Sequence, residues 1–222
     1  ELFPDDEDLS SRFGSLIFTG VDDDQETLAT LHRMGFSNPV QISGTIRGWH
    51  HGHIAATRTE RGRDLFTRLA PRLLEAAQAT GAPDPAFNHF SDFFSALSSG
   101  VQVQSLFLAQ PELFQLVVRV MAFAPELART LARRPAALDA LLDPAFFAPF
   151  DPEDDRAHFD RTMAEAEGFE EAMDTARRLH REQAFRIGLK VIAGTASAED
   201  AGRAFADLAD LCIAHLAEAA LR

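Results

Sequence analysis

The sequence has one cysteine, one tryptophan and no tyrosine in 222 residues. A lone Cys212 excludes an internal disulfide and a cysteine-rich zinc site, and it fits a reducing compartment. Positive charge is also scarce. Lys and Arg number 21 against 34 Asp and Glu, for a formal charge of −13 and a pI near 5.0. A chain of that sign repels phosphate backbones, so nucleic acid is not expected as a partner. Long apolar runs are missing too. The best candidate, residues 101–127, is interrupted by Gln102, Gln104, Gln110, Pro111, Glu112, Gln115 and Arg119, so no membrane partner is expected. The start is acidic (Glu1, Asp5, Asp6, Glu7, Asp8) and carries no signal peptide, which makes the expected location cytoplasmic. It begins with Glu rather than Met and reads as a piece of something longer. No segment of any length alternates with a period of two, which removes the sheet classes.

What is present is apolar residues at helical spacing. Hydrophobic residues make up 46% of the chain, enough for a substantial core. The expected fold is all-α: a multi-helix bundle ending in a long antiparallel helical hairpin. Asp24 reads as an N-cap for a helix over 25–34 that Gly35 stops. Asn38-Pro39 restarts a helix through Ile42, Ile46 and Trp49, which Gly52 breaks. Residues 57–80 form a further helix with Leu65, Leu69 and Leu73 on one face, where Pro71 should bend it or mark a boundary. Gly81 to Pro85 is the clearest linker, with Asp84 capping and Pro85 in the first helical position. From Asp84 to Pro144, prolines punctuate the apolar stripes, predicting four or five short helices that each begin at a proline. Residues 143–155 read as a loop with Phe146, Phe147 and Phe150 turned inward. Two long helices follow. One carries a stripe of Phe169, Met173, Ala176, Leu179, Gln183 and Ile187; the other carries Ala201, Phe205, Leu208, Leu211 or Cys212, Leu216 and Ala219. A tight turn at Gly194 to Ala196 and a capping box of Ser197 with Asp200 join them.

Four constellations bear on chemistry. Gly14-Ser15 followed by Asp22, Asp23 and Asp24 has the residue types of a nucleotidyltransferase phosphate loop and magnesium pair. Asp24 leads into a helix rather than sitting on a strand, and the spacing is short, so helix capping is the reading adopted. Trp49-His50-His51-Gly52-His53 offers imidazoles, but a closed zinc site needs four well-placed ligands and no acidic partner is spaced to help. A polar helix end with Trp49 in the core is favoured. Arg47, Arg58, Arg61, Arg63, Arg68 and Arg72 outweigh Glu60, Asp64 and Glu75 locally, which suits either an acidic partner or a solvated face. His180, His215 and Cys212 have no triad spacing, and a buried cysteine of this kind is inert.

Several strings, in order, resemble one family. They are Thr27 to Phe36 (TLATLHRMGF), Ile46 to Gly52 (IRGWHHG), Gln110 to Phe114 (QPELF), Pro125 to Ala128 (PELA), Arg134 to Pro144 (RPAALDALLDP), Arg181 to Ile187 (REQAFRI), Ala193-Gly194, and Asp207 to Asp210 (DLAD). Together they resemble the central region of the bifunctional glutamine synthetase adenylyltransferase/deadenylylating enzymes of proteobacteria. Val191 departs from the pattern, where an acidic residue is usual. The resemblance implies a helical middle flanked by two nucleotidyltransferase domains. One attaches AMP to a tyrosine of glutamine synthetase and the other removes it by phosphorolysis, under the control of a PII signalling protein and glutamine. It implies that residues 1–80 close the deadenylylating half and residues 81–222 open the adenylylating half, with the option that both pack as one helical unit. ATP and Mg would belong to the flanking catalytic domains, with no cofactor in this segment. No catalytic or metal-ligating residue is then expected within the chain. Arg47, Trp49, His50, Arg58 and Arg61 remain as candidates for a ligand or interdomain surface, and Arg47, Trp49 and His50 as the lining of a glutamine pocket. A free-standing helical adaptor is the alternative from another class.

Overall fold

The computed structural model describes residues 16, 18, 24–135, 137–148 and 150–221. The regular elements of the described residues are all helices, with no strand among them. Gly14, Ser15, Asp22 and Asp23 lie outside the described residues. The chain divides after Ala137 into two compact units.

Among the described residues, the first unit has seven α-helices: α1 (Gln25–Arg33), α2 (Pro39–His50), α3 (Glu60–Ala79), α4 (Pro83–Ala96), α5 (Val101–Ala109), α6 (Pro111–Phe123) and α7 (Pro125–Arg133). Their starts follow from local chemistry. Asp24 Oδ2 accepts from the Thr27 backbone N–H and from its hydroxyl, both at 2.7 Å, which closes the orphan amides of α1. Asn38 caps α2 and Thr59 caps α3 in the same way. α4, α6 and α7 have no side-chain cap and begin instead at Pro83, Pro111 and Pro125, whose fixed φ and missing N–H suit a first turn.

Two expectations for this unit need correction. α3 runs unbroken from Glu60 to Ala79, so Pro71 is not a boundary. α4 starts two residues before Pro85, and Asp84 does not cap it. The Asp84 carboxylate instead accepts from the Ser37 hydroxyl at 2.7 Å and from the Ser37 N–H, tying the α1–α2 corner to the start of α4.

The core is aromatic. Trp49 from α2 stacks on Phe87 and meets Phe66 and Phe94 edge-on, with centroids 5.1 to 5.7 Å apart. Phe90 continues the cluster to Phe93, Phe94, Phe107 and Phe114 at 5.6 to 6.3 Å. All of these rings are buried. Such pairs add roughly 0.5–1.5 kcal/mol each beyond the area they hide. The Gly81 turn (φ 74°) therefore does not separate compact units, because α3 on one side packs on α4, α5 and α6 on the other. α5 and α6 meet at Gln110 with a bend of 111°, and no single helix among the described residues is long and apolar enough to cross a membrane.

The second unit contains α8 (Ala137–Ala140, shared with the boundary), a 3-10 turn at Pro144–Phe147, α9 (Pro152–Ala164), α10 (Phe169–Ala193) and α11 (Ala198–Leu221). α10 and α11 form the expected antiparallel hairpin. Gly194 adopts φ 79° at the end of α10, and Thr195 N–H returns to the Lys190 carbonyl. Ser197 and Asp200 bond reciprocally to open α11. The segment expected as a loop over 143–155 holds a 3-10 turn and then the first turn of α9, capped by Asp151 on the N–H groups of Glu153 and Asp154. α9 makes the hairpin a three-helix unit, with Phe159 and Met163 packed among Ala172, Ala176, Leu179, Ile187, Ala201, Leu208 and Leu211. Phe169 and Phe205, placed on the core stripes from sequence, are 45% and 43% exposed; the small Ala172 and Ala201 take the close contacts instead. Two polar ties hold α9: Asp155 to Arg186 at 2.8 Å and Asp160 to His215 at 2.7 Å.

The backbone of Ala56 sets one tight point in the first unit. A Cβ on Gly100 would lie 2.4 Å from the Ala56 carbonyl oxygen, while one on Gly202 of α11 would meet nothing within 4 Å. Gly100→Ala should destabilise the protein by about 1–3 kcal/mol through overpacking. Gly202→Ala, on an exposed helical face, should stabilise by roughly 0.5–1 kcal/mol. Urea unfolding of both variants checks the pair, and equal effects would contradict the packing described.

Candidate functional site

The side chains of α9, α10 and α11 enclose a cavity of about 420 Å³ beside the hairpin turn. Phe159, Ile187, Leu208 and Leu211 give it an apolar floor. Gln183 and Lys190 of α10 line one wall, and Arg203 and Asp207 of α11 line the other. A cavity of this size and mixture belongs to the range that holds small molecules.

Lys190 is its unusual member. The residue is 1% exposed, an uncommon state for lysine. Its Nζ donates to the Ala148 carbonyl oxygen and stands 4.2 Å from the centroid of the Phe150 ring. Burial pushes its pKa down, the Arg186 guanidinium adds to that, and Asp155 opposes it in part. Asp155 itself is paired with Arg186, and no carboxylate among the described residues pairs with Lys190. At the mouth, Asp200 is occupied by the α11 cap, and its carboxyl is held below the usual range by the Ser197 hydroxyl and N–H. Sequence reasoning missed this site. The available signal was limited to spacing: Gln183, Ile187 and Lys190 fall on one face of α10, which puts a lysine in line with an apolar stripe.

The residues singled out from sequence lie in the first unit and divide between core and surface. Trp49 is 3% exposed and enclosed by Phe66, Phe87 and Phe94, so its ring is committed to packing. His50 is half-buried with its ring 5.1 Å from that of Phe66, and burial followed by the charge of His51 pushes its pKa down. His51 and His53 are exposed, with ring centroids 6.2 Å apart. Arg47 is half-buried on α2, whereas Arg58 and Arg61 are exposed at the start of α3. Arg63 folds back to donate to the Arg58 carbonyl at 2.9 Å. Arg61, Arg68 and Arg72 follow one another along one flank of α3, at the border of the buried face that carries Leu65 and Leu69. In the second unit, His180 is exposed, His215 is bound to Asp160, and the half-buried Cys212 thiol is pushed up by burial.

Comparison with known proteins finds matching sequences. The sequence profile of the glutamate-ammonia ligase adenylyltransferases matches residues 114–222, which includes the whole second unit. A bifunctional glutamine synthetase adenylyltransferase/adenylyl-removing enzyme of Caulobacter vibrioides is 69% identical over 99% of this chain. Enzymes of the same description from Mesorhizobium japonicum and Rhizobium meliloti are 41% and 38% identical over all of it. Along nearly its whole length the chain is similar to one segment of these enzymes. It spans 22% of the length of each of these curated relatives. The α9–α11 cavity lies inside the profile match, and the Arg47 to Arg61 region lies before it.

His50 generates a pH prediction. Its folded pKa lies below the unfolded value of about 6.5, so the unfolded chain binds the proton more readily. Stability is therefore full above that value and falls as pH drops through the window between the unfolded and folded values. His50→Phe keeps a ring against Phe66 and should flatten this dependence. Urea midpoints between about pH 8 and about pH 5 measure it, and an unchanged slope in the variant would show that His50 is not its source.

Proposed function

We propose that the chain is a non-catalytic helical segment of a glutamine synthetase adenylyltransferase/adenylyl-removing enzyme of the cytoplasm, and that its work is to hold two catalytic domains in fixed relation. On this reading residues up to about 80 close the deadenylylating half and those from about 81 open the adenylylating half. The observation that supports it most is the shared aromatic core. Trp49 and Phe66 from before residue 81 pack on Phe87 and Phe94 from after it. A join buried in this way transmits displacement instead of absorbing it. A second support is that Asp24, the described member of the acidic trio weighed for magnesium, caps α1 through the Thr27 N–H and hydroxyl.

The partners that follow are the flanking nucleotidyltransferase domains, which would use ATP and Mg, and glutamine synthetase as the substrate protein. A PII-type signalling protein and glutamine would act as effectors. The exposed arginines Arg58, Arg61 and Arg68, together with Arg47 and His50, are the surface offered to an acidic neighbour within such an assembly. In an otherwise acidic protein, this locally basic edge of α3 is suited to an interdomain contact.

The isolated chain, mixed with ATP, magnesium and glutamine synthetase, should transfer no AMP. Mixed with phosphate and adenylylated glutamine synthetase, it should remove none. Its circular dichroism should be that of a helical protein with a cooperative melt. AMP transfer or removal by this chain alone, followed by mass spectrometry of glutamine synthetase, would overturn the reading.

A further inference from the structure

We propose that the α9–α11 cavity is a binding site for a small organic monocarboxylate with an apolar body, whose carboxylate is taken by Lys190. The case begins with an unbalanced charge. A buried ammonium is costly unless an anion faces it. Lys190 has three N–H donors; one goes to the Ala148 carbonyl oxygen, and the face of Phe150 supplies only a ring quadrupole. The nearest acid, Asp155, is committed to Arg186 at 2.8 Å. The second component is space on the same wall. Lys190 borders a cavity of about 420 Å³ whose floor is Phe159, Ile187, Leu208 and Leu211. One cation beside an apolar floor is complementary to one anion carried on a hydrocarbon body.

The charge count selects the class further. A dianion such as a phosphate monoester would bring a second negative charge into a desolvated space that offers one uncommitted cation. Asp207 at the mouth is exposed and Arg203 is paired with Glu199, so neither alters the balance at the inner end. A neutral ligand of the same shape would fill the floor and leave Lys190 as it stands.

The test uses the 222-residue chain with hexanoate, hexanamide and hexyl phosphate as probes, followed by titration calorimetry and by the methyl resonances of Ile187. Hexanoate should bind saturably and shift Ile187, while hexanamide and hexyl phosphate should each bind at least roughly tenfold more weakly. Lys190→Gln should bring hexanoate down to the level of hexanamide. Lys190 also contacts Ala148 and Phe150, so a second variant guards against misfolding. Ala204→Phe, from a half-buried position on the cavity wall, removes no bond and should abolish binding of all three probes while the melting temperature is kept. The proposal is overturned by any of three results: no saturable hexanoate binding, equal binding of hexanamide or hexyl phosphate, or hexanoate binding that survives Ala204→Phe.

Discussion

The contact between Trp49 and the phenylalanines of α3 and α4 is the constraint on which the first unit depends. Phe66 and Phe87 arrive from either side of the Gly81 turn and meet the same indole. Phe94, next along α4, touches both Trp49 and Phe66 and passes the cluster on to Phe90. Helices too short to be stable alone are thereby fixed by a continuous set of rings. The 111° bend at Gln110 is set by Pro111, which holds Gln110 out of the helical region, and it lets α5 and α6 each bring a ring, Phe107 and Phe114, to Phe90.

Periodicity and proline placement made much of this legible. Helix starts at Pro39, Pro111 and Pro125 follow from one rule of backbone geometry, and the caps at Asp24 and Asn38 from another. The errors have physical sources. Pro71 reads as a bend or a boundary, and the boundary alternative fails: the apolar face of α3, from Leu65 to Ala77, is buried on both sides of it, and tertiary packing outweighs one missing hydrogen bond. Asp84 looked like a cap because of its type and position; its carboxylate reached a residue 47 positions away instead. α9 was overlooked because the Pro-, Phe- and Asp-rich stretch before it suggested a loop. Yet Asp151-Pro152 followed by Glu153, Asp154 and Asp155 is a strong helix start.

The candidate site was less legible for a reason of a different kind. The histidines and arginines around Trp49 are conspicuous as a string, but three-dimensional packing divides them: the indole goes to the core and Arg58 and Arg61 go to water. Lys190 is inconspicuous as a string, and its environment is assembled from segments 42 residues apart along the chain, with Ala148 on one and the lysine on the other. Burial of a charge is a property of the fold that composition and spacing do not carry.

The hairpin gives this segment a physical dimension. At 1.5 Å per residue, the 25 residues of α10 make a rod of about 37 Å, and α11 is nearly the same length. The turn that adjoins the Lys190 cavity is one end of that rod; Phe169 and Leu221 mark the other. A change of a few degrees in how the turn end is seated becomes a displacement of a few ångströms at the far tip, since two helices packed along their lengths do not bend to absorb it. The hairpin thus has the geometry of a rigid arm, with its reach set by the number of helical turns.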